Sequence, residues 1–147
     1  MAHCKHYETC GLEAFAGGEF CTLHLPNPNK NDTRFQNDLQ DLQRRKQNDY
    51  QYIVFPQSYS GIRRLFSQNS VGVNLNFSNA TFLGSANFNE FNFNDGVSFA
   101  NATFTGDANF QNSAFGAQTD FSNATFKGGA RFPHSMFHAS VLFHDTV

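Results

Sequence analysis

Phenylalanine recurs at every eleventh position from Phe55 to Phe143, through Phe66, Phe77, Phe88, Phe99, Phe110, Phe121 and Phe132. From Phe77 onward a second series bisects the first: Phe82, Phe93, Phe104, Phe115, Phe126 and Phe137. The aromatic spacing therefore alternates five and six. No α-helix or ordinary sheet keeps such a period over about 90 residues, and a fixed period marks stacked repeats. A small or apolar residue stands two places before most of these aromatics, as in Ala80, Ala86, Val97, Ala102, Ala108, Thr119, Ala124, Ala130 and Val141. The residue between is polar or variable, as in Thr81, Asn87, Thr103, Asn109, Asp120, Thr125 and Arg131. Two inward positions flanking an outward one predict short strands. Turn formers separate them. The short connections carry Asn79, Asn101, Asn112 and Asn123, and asparagine accepts left-handed turns. The longer connections hold Gly84, Gly96, Gly106, Gly116 and the pair Gly128–Gly129, where an extra residue is absorbed at a corner.

The segments SNATF, GSANF, ANATF, GDANF, AQTDF and GGARF resemble the pentapeptide-repeat family in its Phe-centred form. That resemblance implies an all-β solenoid, a right-handed quadrilateral β-helix with four pentads to each square coil. It covers residues 77–143 well and reaches about residue 53 through Phe55 and Phe66 alone. It is nearly silent on function, because the family hosts several unrelated roles. Two eleven-residue units per coil stack residues 22 apart in sequence at a rise of about 4.8 Å. Four inner columns follow: Phe77/Phe99/Phe121/Phe143, Phe88/Phe110/Phe132, Phe82/Phe104/Phe126 and Phe93/Phe115/Phe137. Phe91 occupies a small-residue position whose column mates are Ser113 and Ser135, so a local distortion or plug is expected there.

Ahead of the repeats, Phe35, Leu39 and Leu42 fall at i, i+4 and i+7, one apolar stripe of a short helix. Asp32 is its N-cap candidate, and Arg44, Arg45 and Lys46 lie near its C-terminal end. So short a helix needs a packing surface, and the first coil of the solenoid is the expected one. The chain divides into a zinc-knuckle-like module (1–27), a linker and amphipathic helix (28–51) and the β-helix (52–147). The connector Pro-Asn-Pro-Asn-Lys at 26–30 breaks regular structure.

Composition narrows the function. All three cysteines lie within the first 21 residues, an odd number that argues for a metal site over a disulfide framework. Cys4, Cys10, Cys21 and His24 read C-x5-C-x10-C-x2-H, a Cys3His donor set suited to structural Zn2+. Cys21 and His24 share one turn, with Gly17 and Gly18 before it; His6, and more weakly His3, are alternative ligands. The segment CGLEAFAGGEFCTLH resembles small zinc-binding modules found at the start of many bacterial proteins. A segment this small folds on the energy of its metal. Four protein ligands close the site, so hydrolytic zinc chemistry is not expected.

A net charge of −2 is not the basic footprint of a nucleic-acid binder, and no direct nucleic-acid contact is expected. No apolar run is long enough to span a membrane, and the N-terminus lacks a hydrophobic leader, so a cytoplasmic location is the expectation. The glycosylation sequons at Asn76, Asn79, Asn101 and Asn123 arise from the repeat itself. His134, His138 and His144 have no metal-ligand spacing. The outward Thr81, Thr103 and Thr125 rank is explained by β propensity. No catalytic constellation is present in the pattern, and the expected role is a non-enzymatic binding scaffold. Its alternative is a DNA-mimic modulator of a topoisomerase such as gyrase, a role some members of the family play. A mimic needs dense carboxylates, whereas residues 77–147 carry five acids (Glu90, Asp95, Asp107, Asp120, Asp145) against Lys127 and Arg131. The partner is expected to be another protein or a second copy. Phe137, Leu142 and Phe143 in the last coil are the expected contact, since an open strand edge invites pairing.

Overall fold

The computed structural model describes residues 2–15, 18–27, 30, 32–45, 48–57, 59, 61–62 and 74–147. The repeats form a parallel β-solenoid. Each side of the coil is a ladder of two-residue strands. One ladder joins β2 (Leu75–Asn76), β6 (Val97–Ser98), β10 (Thr119–Asp120) and β14 (Val141–Leu142). A second joins β1 (Val54–Phe55), β3 (Thr81–Phe82), β7 (Thr103–Phe104) and β11 (Thr125–Phe126). The other two hold β4 (Ala86–Asn87), β8 (Ala108–Asn109) and β12 (Ala130–Arg131), and β5 (Asn92–Phe93), β9 (Ala114–Phe115) and β13 (Met136–Phe137). Leu75 pairs with Val97, Val97 with Thr119 and Thr119 with Val141, the 22-residue register that the spacing predicts.

The four aromatic columns form as expected. In the Phe77 column successive rings stack at 5.2, 5.1 and 5.1 Å, and Phe88, Phe110 and Phe132 stack at 5.1 and 4.9 Å. Phe82, Phe104 and Phe126 repeat at 4.7 Å, and Phe93, Phe115 and Phe137 at 5.0 and 4.7 Å. Each ring also meets its neighbours within the coil edge-on or tilted, as Phe99 meets Phe110 at 5.7 Å and 74°. Parallel stacking along the axis and edge contacts across it suit the ring quadrupole. Phe91 is buried against Phe93 at 4.8 Å and lies on β5's side, where no earlier strand of that ladder occurs among the described residues. One coil later Ser113 replaces it, donating its hydroxyl to the Phe88 carbonyl at 2.6 Å and accepting from the Phe91 N–H at 3.3 Å.

Turns recur with the same period. Asn79, Asn101, Asn112 and Asn123 all have φ between 55° and 61°, and the intervening turns place Glu90, His134 and Asp145 in the same left-handed region. The outward polar residue just before each turn braces it. Oδ1 of Asn76, Asn87, Asn109 and Asp120 accepts the N–H two residues on, at 2.8–3.1 Å. The corner glycines answer a different constraint, the approach of one coil to the next. A Cβ on Gly106 would stand 2.8 Å from the Gly84 carbonyl carbon, and one on Gly128 only 2.6 Å from that of Gly106.

The first coil departs from the lattice. Counting back 22 from Phe77 puts Phe55 in that column, yet Phe55 stacks on Phe82 at 4.7 Å and Tyr50 takes the place beneath Phe77 at 5.1 Å. Val54 likewise pairs with Thr81, 27 residues on, and Tyr52 has the left-handed φ of Asn79, also 27 on. The first coil is one pentad longer than the others. Phe66, the remaining lattice position, lies outside the described residues.

Helix α2 (Asp32–Arg44) covers this coil, with Phe35, Leu39 and Leu42 fully buried. Phe35 packs edge-on against Phe55 at 5.8 Å and Tyr59 at 5.2 Å. Asp32 is the first helical residue rather than the residue before it, an acidic side chain in the first turn where the helix dipole favours it. The helix ends at Arg44, and Lys46 lies outside the described residues. A one-turn helix, α1 (Tyr7–Cys10), was not foreseen by the apolar pattern. One continuous core runs from the cysteine-bearing segment to Ala124.

Candidate metal centre

Two loops bring the donors together. The first is closed by an antiparallel bridge between His3 and Glu13, and α1 delivers Cys10 and stops at Gly11, φ 63°. Glycine there serves both the left-handed turn and the space above it, because a Cβ would stand 2.6 Å from Arg45 Nη1. Arg45 itself donates to the Cys10 carbonyl at 2.8 Å, tying the end of α2 to the loop. In the second loop, His24 and Leu25 donate their N–H groups to the Cys21 carbonyl at 3.2 and 3.0 Å, the turn that puts Cys21 and His24 on one side. Gly18 closes a turn of its own by donating to the Phe15 carbonyl at 2.9 Å, and Gly17 lies outside the described residues.

Cys4, Cys10, Cys21 and His24 are all buried, and their donor atoms lie within 4.8 Å of one another. Cys10 Sγ is 3.8 Å from Cys21 Sγ, and His24 Nδ1 is 3.3 Å from Cys21 Sγ and 3.4 Å from Cys4 Sγ. A tetrahedron with metal–sulfur bonds of about 2.3 Å and metal–nitrogen bonds of about 2.0 Å has S–S edges of about 3.8 Å and S–N edges of about 3.5 Å. The donors therefore stand at the spacing a single ion requires, and far outside disulfide range. Two backbone groups face the sulfurs: the Cys21 N–H donates to Cys4 Sγ at 3.3 Å and the Leu12 N–H to Cys10 Sγ at 3.4 Å. The His24 Nε2–H donates to the Gln51 carbonyl at 3.3 Å, which leaves the Nδ1 lone pair facing the thiols.

The electrostatics agree. Hydrogen bonding with Cys21 lowers the Cys10 thiol below its ordinary range, while that same contact, reinforced by burial, pushes Cys21 up to about 12. Burial raises Cys4. One thiolate comes readily in this dry pocket and further ones are opposed, the situation a multivalent cation reverses.

The other sequence candidates fall outside the cluster. His6 stacks on Tyr52 at 4.4 Å and lies 4.8 Å from the His24 ring, with burial lowering its basicity, but it is not among the converging donors. His3 contacts Glu13 at 3.0 Å on the surface. His134, His138 and His144 are exposed, and His144 meets Asp145 at 2.9 Å. Met136, Phe137, Leu142 and Phe143 are 40–55 % exposed on the last coil. Sequence reasoning missed Lys30, read as part of a connector, which is buried beside the ligand turn with Nζ donating to the carbonyls of Leu23 and Leu25 at 3.0 and 3.3 Å. No helix among the described residues is long and apolar enough to cross a membrane.

No curated protein and no solved structure matches the chain. The family model for pentapeptide repeats, in nine copies, matches residues 74–114 and 99–147, half of the sequence. With the parallel ladders, the 22-residue register and the Phe columns, that match establishes the chain as a member of the pentapeptide-repeat family.

Proposed function

We propose that the protein is a non-enzymatic interaction scaffold of the cytoplasm, a rigid Phe-cored solenoid whose N-terminal module is held by a structural zinc ion. The closed centre carries this reading. Three sulfurs and one nitrogen at tetrahedral spacing, all buried, suit Zn2+ and leave it no open position for water or substrate. The donor loop is also continuous with the solenoid. Val54 of β1 donates its N–H to the Leu23 carbonyl at 2.9 Å, between ligands Cys21 and His24, so the module adds a rung beneath the first coil.

The partner is another protein or a second copy, and the contact is the last coil. Strands β12, β13 and β14 each have a ladder neighbour on one side only, and Phe137, Leu142 and Phe143 lie exposed beside them.

The DNA-mimic alternative needs free negative charge at a density approaching one per about 1.7 Å of duplex. The acids here are engaged: Asp107 meets Arg131 at 3.0 Å, Asp120 accepts the Ser122 N–H at 2.8 Å and Asp145 meets His144. A supercoiling assay with a topoisomerase separates the readings. The scaffold leaves supercoiling unchanged at micromolar protein, whereas salt-sensitive inhibition would establish the mimic.

A further inference from the structure

Lys30 carries an inference that rests on the metal reading above. Its side chain is 6 % exposed, and its ammonium donates to the carbonyls on either side of His24 while standing 4.5 Å from the centre of the Phe35 ring. No carboxylate among the described residues forms an ion pair with it. Lysine is almost never buried this completely without a charge to answer it. Burial drives this one down to about 7 in the metal-free protein, and the opposing influence is the Cys21 thiolate. The other cations near the centre are committed elsewhere or absent. Arg45 pairs with Asp41 at 3.3 Å, and burial together with His24 disfavours a charge on His6.

Three thiolates and one neutral imidazole around a divalent cation leave one net negative charge. We propose that Lys30 is the built-in counter-cation of the metal centre, which makes the loaded module neutral and matches it to a divalent ion held by three ionised thiolates. A monovalent ion on the same donors leaves an uncompensated buried negative charge, and a trivalent ion an uncompensated positive one. The Leu23 carbonyl is the mechanical link, since it accepts from both Lys30 Nζ and the Val54 N–H. Charge at the centre and the first rung of the solenoid therefore meet on one atom.

Zinc affinity of the full chain, measured by competition with a chromophoric chelator, tests this in the wild type, Lys30→Met and Lys30→Arg. Methionine keeps the apolar stem and removes the charge. Lys30→Met is expected to bind zinc at least about tenfold more weakly, about 1.4 kcal/mol. Lys30→Arg, which keeps the charge, is expected to recover most of that loss. A lysine that merely fills space gives the opposite sign, because an apolar isostere of a buried charge is commonly neutral or stabilising. Affinity unchanged in Lys30→Met, or lost equally in both variants, would overturn the role of Lys30 and leave the metal reading standing. If Lys30→Met does not load at all, binding by Lys30→Arg decides, supporting the role if present and overturning it if absent. A wild-type chain that takes up no zinc sinks the metal reading itself.

Discussion

Phe110 shows what a single residue contributes. It is fully buried, sandwiched between Phe88 and Phe132 and met edge-on by Phe99 and Phe121. Phe110→Ala is expected to cost about 3–5 kcal/mol by urea denaturation, the scale of a large cavity in a packed core. Phe143→Ala, on the exposed rim, is expected to cost no more than about 1 kcal/mol, and equal losses would show that the columns are not the source of stability. Gly106→Ala puts a methyl against the neighbouring coil's backbone and should cost about 1–3 kcal/mol. These residues were legible in the sequence because every coil imposes the same demand, so Phe, Asn and Gly return on schedule. Lys30 was not. Nothing in Pro-Asn-Pro-Asn-Lys says that its last side chain turns inward, since burial there depends on where α2 and the ligand turn meet. Glu90, His134 and Asp145 were equally hidden, because their turns take the left-handed conformation from the repeating backbone rather than from their own preference.

Among the elements, α2 was readable from its i, i+4, i+7 stripe, and its packing on the first coil followed from its being too short to stand alone. Leu39 is fully buried in that contact. Leu39→Asp would bury an unpaired carboxylate, with an expected loss of roughly 3 kcal/mol or more in thermal or urea unfolding. A loss below about 1 kcal/mol, the level of an ordinary surface change, would mean that the helix is dispensable to the solenoid. The register of the first coil was not readable. Phe55 keeps the eleven-residue spacing and still stacks 27 residues ahead, because an extra pentad shifts the column by one side of the square while leaving an aromatic in place. A periodic sequence fixes the period and leaves such a slip invisible.

For the whole molecule, the sequence supplied the donor set and the solenoid, and the structure supplied their junction. Cys4, Cys10, Cys21 and His24 converge as their types suggested, whereas the rung from Val54 to Leu23 and the bond from His24 to Gln51 depend on tertiary contacts that no local pattern encodes. If the last coil is the contact surface, the protein self-associates in light scattering at high micromolar concentration, and Leu142→Lys shifts it towards monomer by placing a charge on the exposed rim. A monomeric parent, or an assembly indifferent to Leu142→Lys, would exclude self-association through that coil. The central claim, a solenoid whose N-terminal module is built around a bound metal, is tested most directly by elemental analysis of the purified full chain. About one equivalent of zinc per chain is predicted, whereas less than about a tenth of an equivalent after expression in zinc-supplemented medium would contradict it.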